Sequence, residues 1–396
     1  MISPAEAETA IRASVPLLEA ESRTLVALNG AVLREPILAT RDQPPFDRVT
    51  MDGIAFSSAA GRREFRIAGT QAAGTRQMVL ASPEACFEVM TGAVVPKGCD
   101  CVVPVEKLSL QNDTARLLDD VAVTVGMNIH TRGLDCRAGT ALLDPGVRLG
   151  PPEVAIIAAA GLAHAQVSRS PRISVISTGD ELIEPGDPIS DYQIYRSNAF
   201  GVLAALQRQG HLQLAEDHLP DDPDTLRTRL RSHLDTHDVL ILSGGVSMGK
   251  FDYVPQILGE LDIAVVFHNV AQRPGKPMWF GVGPRGRTVY ALPGNPVSTL
   301  VCLTRYVYPG LAAAMGESPT ARQMIALAEP FDVKPALTVF LPVKLVADAS
   351  GNVSAQPRPT RGSGDFTSLL GTDGFVELPP GPVTLAHGTI VPFYRW

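Results

Sequence analysis

Three loops in the second half of the chain carry residue types suited to binding an anion. They follow the short apolar runs Val239–Leu242, Ile263–Phe267 and Thr288–Leu292, which favour strands buried on both faces of a parallel sheet. Ligands of such sheets bind outside the carboxyl ends of the strands, where these loops would lie together. Glycines in the loops let backbone N–H groups approach a ligand closely. The predicted binding residues of the loops are Ser243, Gly244, Gly245, Ser247, Arg273, Gly275, Lys276, Pro293, Gly294, Asn295 and Pro296.

The third loop also predicts the start of a helix. Asn295 suits the N-cap position and Pro296 suits the first helical position. A helix that begins after a tight turn is a ready anion site, because its first N–H groups have no partner in the helix. Any one of the loops also fits a simple strand-to-helix connection. Three such loops together, carrying Asp252, Arg273 and Lys276, favour a ligand-binding site over simple connections.

Acidic side chains occur in the same part of the sequence. Asp180 and Glu181 follow the strand-like run ISVIST, and Asp221 and Asp222 lie in a polar loop. Carboxylates beside anion-binding loops suit Mg²⁺, which takes one or two of them together with ligand oxygens. The second pair of aspartates also fits a plain helix-starting turn. Both interpretations are kept open.

The segment from Pro44 to about Gly133 has a different character. Short alternating runs separated by Gly and Pro predict a small β-rich domain. Asp52, next to a glycine in the run TMDGIAF, and Thr91, in MTGAVVP, are its polar candidates. An Asx-turn alone also explains an aspartate in that position. Asp135 lies in the loop that closes the segment.

The flanking regions contribute the remaining predicted elements. Ser3 and Glu6 form a capping box, which predicts a first helix to about Ser14. Alternating strand and helix patterns from about 170 to 317 predict an α/β unit, and short strands after 318 predict an all-β unit. Within the latter, Ser363 lies between two glycines, so its loop either meets a ligand or is a flexible connector.

Composition argues against several classes of function. A net charge of −7, with 19% charged residues, gives no basic field for nucleic acid. The longest nearly continuous apolar stretch, Val154–Ala163, is too short to span a bilayer. The first residues lack the basic and apolar segments of a secretory signal, and the five cysteines contain no CxxC pair. We therefore expect reduced thiols in a cytoplasmic protein, with neither nucleic acid nor membrane as a partner.

The motifs also occur in a recognisable order. TMDGIAF, MTGAVVPKGCDCVVPVE, STGDEL, SGGVSMGKFDYV, RPGKP and LPGNPVS resemble, in sequence and order, the MoeA family of molybdopterin molybdenumtransferases. The related domain of gephyrin belongs to the same family. The resemblance extends from the N-terminal helix to the C-terminal GSG loop. Any one motif is weakly specific, whereas six in the family's order are very specific.

The resemblance implies a multidomain α/β plus β fold. Its four domains would be an elongated helical dimerisation domain (1–45 and 134–169), an inserted β-rich domain (46–133), a MogA-like molybdopterin-binding α/β domain (170–317) and a C-terminal β-barrel (318–396). Family members are homodimers whose active-site cleft joins the α/β domain of one subunit to the inserted domain of the other. MogA-like proteins and client molybdoenzymes are further partners compatible with the resemblance.

The family's reaction takes adenylylated molybdopterin and molybdate as substrates and releases molybdenum cofactor and AMP, with Mg²⁺ or a similar ion. Residue by residue, the resemblance implies the catalytic set Asp52, Thr91, Asp135, Glu181, Asp221 and Asp252. It implies Glu181, Asp221 and Asp252 as the metal ligands, and adds Ser363 to the binding residues. Asp135 matches the acid of the family's RGED motif, although the residue before it is Leu134.

Four positions depart from the family's usual pattern. Asn269 stands where many members carry Lys, and Pro342 stands where Arg is usual. Ile54 replaces an aromatic residue, and Lys250 replaces an acid. The loss of two cations predicts weaker molybdate binding, with partial compensation from Lys250.

Two alternative functions follow from the same residues. The α/β domain alone would also suit a MogA-like adenylyltransferase acting on molybdopterin and ATP, although the extra domains with Asp52 and Thr91 argue against it. The two missing cations would also suit a non-catalytic carrier that holds finished cofactor for a molybdoenzyme. Release of AMP from adenylylated molybdopterin separates the transferase from both.

Overall fold

The computed structural model describes residues 1–245 and 253–396. Ser247, Lys250 and Asp252, which the sequence analysis names, lie outside the described residues. The chain divides into a larger unit (1–34, 145–150 and 166–396) and a smaller unit (35–144 and 151–165). Within the described residues, none of the helices combines the length and apolar character needed to cross a membrane.

The larger unit contains a sheet of six described strands. Across the sheet the strands lie in the order Leu214–Leu219, Ile173–Thr178, Val239–Ser243, Thr288–Leu292, Trp279–Val282 and Ala264–His268. The first four are parallel, and Trp279–Val282 is antiparallel to both of its neighbours. The predicted apolar strands are confirmed. The strand Trp279–Val282 was not predicted, and it makes the sheet mixed rather than wholly parallel.

The central strands are buried on both faces, as their continuous apolar runs require. Because adjacent strand residues point to opposite faces, Val175 packs into one core and Ile176 into the other. Helices cover the two faces with their apolar sides. The α-helices of the described residues are Pro4–Ser14, Pro151–Ala159, Asn198–Arg208, Pro223–Thr236, Val254–Glu260, Pro296–Cys302 and Tyr308–Ala314, with a π-helical segment at Leu303–Val307.

The first helix confirms the capping box. Ser3 Oγ accepts from the backbone N–H of Glu6 at 3.2 Å, and Glu6 Oε2 accepts from the backbone N–H of Ser3 at 2.7 Å. These bonds satisfy N–H groups that a helix start leaves without partners. Ala7 and Ile11 then join the core of the α/β sheet. The N-terminal helix is therefore part of the same packed unit as the α/β fold.

The C-terminal region forms a closed barrel of five described strands. In order around the ring they are Thr338–Ala347, Val353–Pro357, Gln323–Leu327, Ile390–Arg395 and Gly374–Leu378. The ring closes because the long strand Thr338–Ala347 pairs with both the second and the last of these. A two-stranded sheet of Phe331–Val333 and Val383–Leu385 accompanies the barrel.

The barrel also pairs with a loop of the α/β fold. The short strand Gln272–Arg273 lies parallel to the start of Thr338–Ala347, so that Gln272 is opposite Thr338 and Arg273 is opposite Val339. The backbone N–H of Thr338 donates to Ala271 O at 3.1 Å. The loop that follows the strand Ala264–His268 is therefore fixed to the barrel.

The smaller unit is β-rich, as its alternating runs predict. Its main sheet contains, in spatial order, Cys101–Pro104, Gly53–Phe56, Ala85–Val89, Glu64–Gln71, Thr114–Leu117 and Leu108–Gln111. Elsewhere in the chain, short strands pair as Arg48–Val49 with Ile129–His130, Ile37–Leu38 with Ala141–Leu143, Ala20–Thr24 with His164–Ser168, and Leu182–Ile183 with Ile194–Tyr195. All five cysteines are free thiols, as expected.

Candidate active site

The glycine loop after Val239–Ser243 passes very close to a neighbouring strand. Gly244 has a φ of 102°, and a Cβ on this residue would lie 2.6 Å from Thr178 O. A larger residue would therefore be strained and would also collide with backbone. Gly294 approaches the same place, since a Cβ there would lie 3.6 Å from Gly244 Cα. Two of the predicted binding loops thus meet at the carboxyl edge of the sheet.

Asn198 connects these two loops. Its Nδ2 donates to Ser243 Oγ at 2.9 Å and to Gly294 O at 2.7 Å. One amide side chain therefore sets the spacing between them. Asn198 was not among the predicted site residues, and its only sequence signal is a position at the start of the helix Asn198–Arg208.

The acidic residues that follow the strands Ile173–Thr178 and Leu214–Leu219 are also adjacent. Asp180 Oδ1 accepts from the backbone N–H of Asp221 at 3.1 Å. The helix-starting interpretation is confirmed for Asp222, which is an N-cap and accepts from the backbone N–H of Thr225 at 2.8 Å. A Cβ on Gly179 would lie 2.5 Å from Glu181 Oε2, so the glycine leaves room for that carboxylate. Among residues 1–245 and 253–396, no three His, Cys, Asp or Glu side chains are grouped so that they could hold a metal ion.

A cleft of about 670 Å³ lies between the α/β fold and the barrel. Six of the predicted binding residues line it, namely Arg273, Gly275, Lys276, Pro293, Asn295 and Ser363. Pro342 also lines it, whereas Asn269 is not one of its lining residues. Of the two departures that remove a cation, only the proline therefore faces this cleft. Asn269 instead has a left-handed φ of 72°, a conformation that asparagine tolerates better than lysine.

The predicted helix start at Asn295 and Pro296 is confirmed. Asn295 occupies the N-cap position and Pro296 is the first residue of the helix, but the asparagine side chain makes no capping bond. Its Nδ2 donates instead to Ser363 Oγ at 2.7 Å, and the backbone N–H of Val297 donates to Ser363 O at 3.1 Å. The helix start is therefore joined to the Ser363 loop of the C-terminal region. A pairing over 68 positions leaves no local signal in the sequence.

Gln272 holds the loop that carries Arg273 and Lys276. Its Nε2 donates to Pro274 O at 3.1 Å and to Gly275 O at 3.2 Å, and the hydroxyl of Tyr306 donates to its Oε1. Gln272 is 1% exposed and Tyr306 is fully buried, so water cannot replace these bonds. Gln272 was not among the predicted site residues.

In the smaller unit, Asp52 and Thr91 contact each other directly. Asp52 Oδ1 accepts from the backbone N–H of Thr91 at 2.6 Å and from its hydroxyl at 2.7 Å. These two bonds lower the pKa of Asp52. The carboxylate is therefore bound by a second loop, an interaction that the Asx-turn interpretation does not include.

Asp135 has a different partner in the same unit. His130 Nε2 lies 3.0 Å from Asp135 Oδ1, and Arg48 lies 3.0 Å from His130 Nδ1. Because arginine can only donate, Nδ1 must be the acceptor, and the ring proton lies on Nε2 facing the carboxylate. His130 thereby orients Asp135.

The fold is that of an α/β protein with a C-terminal barrel, and its candidate site lies at the carboxyl edge of the sheet. Its glycine loops, carboxylates and cationic side chains lie at the carboxyl edge of the sheet, and a barrel supplies the opposite wall of its cleft. Similarity to known proteins shows to which family this organisation belongs.

Three regions of the chain match family models. Residues 2–161 match the MoeA N-terminal region (domain I and II), residues 174–313 match a probable molybdopterin binding domain, and residues 325–396 match the MoeA C-terminal region (domain IV). A molybdopterin molybdenumtransferase of Synechocystis sp. is 40% identical over 400 residues, covering 100% of both chains. One from Synechococcus elongatus is 34% identical over 391 residues, covering 95% of this chain and 93% of that protein.

A solved structure agrees with these matches. The molybdopterin biosynthesis MoeA protein of Pyrococcus horikoshii has a TM-score of 0.79 and is 28% identical, covering 100% of this chain and 99% of that one. The chain therefore belongs to the MoeA family of molybdopterin molybdenumtransferases.

Proposed function

We propose that this protein inserts molybdate into adenylylated molybdopterin and releases molybdenum cofactor and AMP. The observation that carries the proposal is the cleft of about 670 Å³ between the α/β fold and the barrel, whose lining residues include Arg273, Lys276 and Ser363. Molybdate is a dianion, and cationic side chains suit its oxygens. The names of the full-length relatives agree with this activity.

The remaining groups suit the cleavage of the adenylyl phosphate. Loop amides around Gly244 and Gly294 can approach phosphate oxygens, since both positions are free of a side chain. The donor chemistry of Glu181 and Asp221, together with Asp252 from the sequence, fits Mg²⁺, which needs one or two carboxylates and completes its shell with water and substrate oxygens. When bound, Mg²⁺ would neutralise charge that develops on the phosphate oxygens. Asp52 and Thr91 would orient a substrate group through the carboxylate of Asp52 and the hydroxyl of Thr91.

The assembly and location form part of the same proposal. We propose a cytoplasmic homodimer with the four-domain layout of the family, in which Asp52 of one subunit serves the cleft of the other. Mixed dimers of an Asp52→Ala chain and an Asp252→Ala chain should then recover about one working site out of two. Verified heterodimers without any recovered activity would refute the shared site.

The direct experiment measures AMP release from adenylylated molybdopterin with and without molybdate. The proposal expects AMP release that depends on molybdate and Mg²⁺. ATP-dependent adenylylation of molybdopterin would instead support the MogA-like alternative. Tight cofactor binding by a folded protein, without AMP at any molybdate concentration, would support the carrier.

A further inference from the structure

A third cation lines the same cleft as Arg273 and Lys276. It is Lys334, which directly follows the strand Phe331–Val333. No motif of the sequence includes this lysine. Its side chain is exposed, so it is available to a ligand in the cleft.

The backbone around Lys334 is fixed on both sides. Before it, Phe331–Val333 pairs with Val383–Leu385. After it, Pro335 O accepts from the backbone N–H of Gly381 at 2.6 Å. A Cβ on Gly381 would lie 2.0 Å from Val333 O, so the two segments are in close backbone contact. The Lys334 side chain therefore extends from a well-supported turn on the barrel side of the cleft.

The charge of the cleft is not balanced within the protein. Its charged lining residues, in the described part of the chain, are the cations Arg273, Lys276 and Lys334 and the single acid Asp332, which gives 3 − 1 = +2. None of these cations forms an ion pair within residues 1–245 and 253–396. The carboxylate of Asp332 is engaged by the hydroxyl of Thr384 at 2.6 Å.

This local excess of positive charge contrasts with the net charge of −7 for the whole chain. Like charges that share a cleft repel one another, and a bound anion removes that repulsion. A net charge of +2 matches a dianion. Pro342, on the same barrel wall, brings no charge, so Lys334 is the barrel's own cation in the cleft.

We propose that Lys334 binds the tetrahedral oxyanion substrate and supplies the barrel-side positive charge that Pro342 cannot. This inference rests on the proposed function and assigns to Lys334 a role in the protein's affinity for molybdate. The ligand class is a tetrahedral dianion such as molybdate or tungstate.

The test compares Lys334→Gln with Lys334→Arg and with Lys344→Gln. Lys344 is an exposed lysine of the same barrel that does not line the cleft, so it is the matched control for loss of one charge. Lys334→Gln should raise the KM for molybdate by about tenfold, as expected for one partly exposed charged contact. The KM for adenylylated molybdopterin and kcat at saturating molybdate should change little. Lys334→Arg should restore most of the affinity, and Lys344→Gln should have no effect.

Equilibrium titration with molybdate alone provides a second readout. A molybdate affinity of Lys334→Gln equal to that of the unchanged protein, with folding verified by thermal unfolding, would overturn the inference. So would an equal rise in both KM values. If the unchanged protein binds molybdate but releases no AMP, the proposed function fails while the titration still decides the role of Lys334. If it binds no molybdate, both ideas fail.

Discussion

Thr91 donates two hydrogen bonds to one carboxylate oxygen of Asp52, from its backbone N–H at 2.6 Å and from its hydroxyl at 2.7 Å. Both residues are exposed, so the pair is available to a ligand rather than buried for packing. Because both bonds favour the ionised carboxylate, they lower its pKa, and Asp52 is negatively charged at neutral pH. The two residues therefore form one anionic group held by two loops.

We expect Asp52→Asn to lower AMP release by on the order of ten- to a hundredfold, because it removes the charge while its side-chain oxygen can still accept both bonds. Thr91→Val should cost less, since the backbone N–H still donates. The rates are measured at saturating substrates. Asp120→Asn, at an exposed aspartate of the same unit, is the control and should keep full activity. Equal rates for Asp52→Asn and the control would exclude a role for the charge.

The contact between Asn295 and Ser363 predicts coupling between two distant loops. Asn295→Ala and Ser363→Ala should each lower kcat/KM, by about 0.5–1.5 kcal/mol of transition-state stabilisation. If the serine acts mainly through the asparagine, the double variant should be no worse than the poorer single variant. Additive losses would show that Ser363 acts independently, for example by direct contact with the substrate. Ser350→Ala, in an exposed turn, is the neutral control.

Gln272 should control the affinity for molybdate through the loop that it holds. Gln272→Glu keeps an acceptor for Tyr306 but places a carboxylate against the carbonyls of Pro274 and Gly275. The KM for molybdate should therefore rise more than the KM for adenylylated molybdopterin. Tyr306→Phe should have a smaller effect in the same direction, because both loop carbonyls keep their donor.

The control for this series is Gln356→Leu, which removes a glutamine of the barrel that pairs with Arg358. It should leave both KM values unchanged. A Gln272→Glu protein with the normal fold and an unaltered KM for molybdate would contradict the positioning role.

His211 should make stability sensitive to mild acid. Burial, followed by the charge of Arg148, lowers the pKa of His211 from 6.5 to about 4. Below pH 6.5 the unfolded chain binds a proton that the folded protein excludes. The contribution is therefore complete above the unfolded pKa and is lost as the pH falls from 6.5 towards 4. Between pH 7 and pH 5 the free energy of unfolding should fall by about 2 kcal/mol from this residue.

Denaturant unfolding of the unchanged protein and of His211→Gln, at several pH values, measures this contribution as the difference between the two curves. The substitution should flatten the curve between pH 7 and pH 5. His164→Gln, at an exposed histidine, should leave the curve as it is. Parallel curves for the unchanged protein and His211→Gln would show that His211 does not titrate as expected.

Local sequence signals predicted the elements of the fold well. The capping box at Ser3 and the apolar run Thr288–Leu292 produced a helix and a strand at the expected places, because adjacent residues determine both. The strand Trp279–Val282 escaped prediction. It follows a proline-rich loop, and its pairing partners are separate segments of the chain.

The contacts that organise the candidate site were harder to predict. Asn198 bonds to Gly294, and Lys334 enters a cleft whose other wall comes from the α/β fold. Each depends on segments brought together only by tertiary folding, so neither residue has a spacing or composition signal. The side chain of Asn295 shows the same limit, since local rules placed the residue correctly at the N-cap but gave no signal for its hydrogen bond to the distant Ser363.

The two-residue strand Gln272–Arg273 has a consequence for the modularity of this chain. The α/β fold resembles a self-contained domain, yet a fragment ending near residue 317 would lack the barrel strand that aligns Arg273. It would also lack Glu377, which accepts from the fully buried Arg305 at 3.0 Å. We therefore expect that replacing the barrel with an unrelated domain would disturb both the position of Arg273 and the pairing of Arg305, so the two parts of the chain do not behave as interchangeable modules.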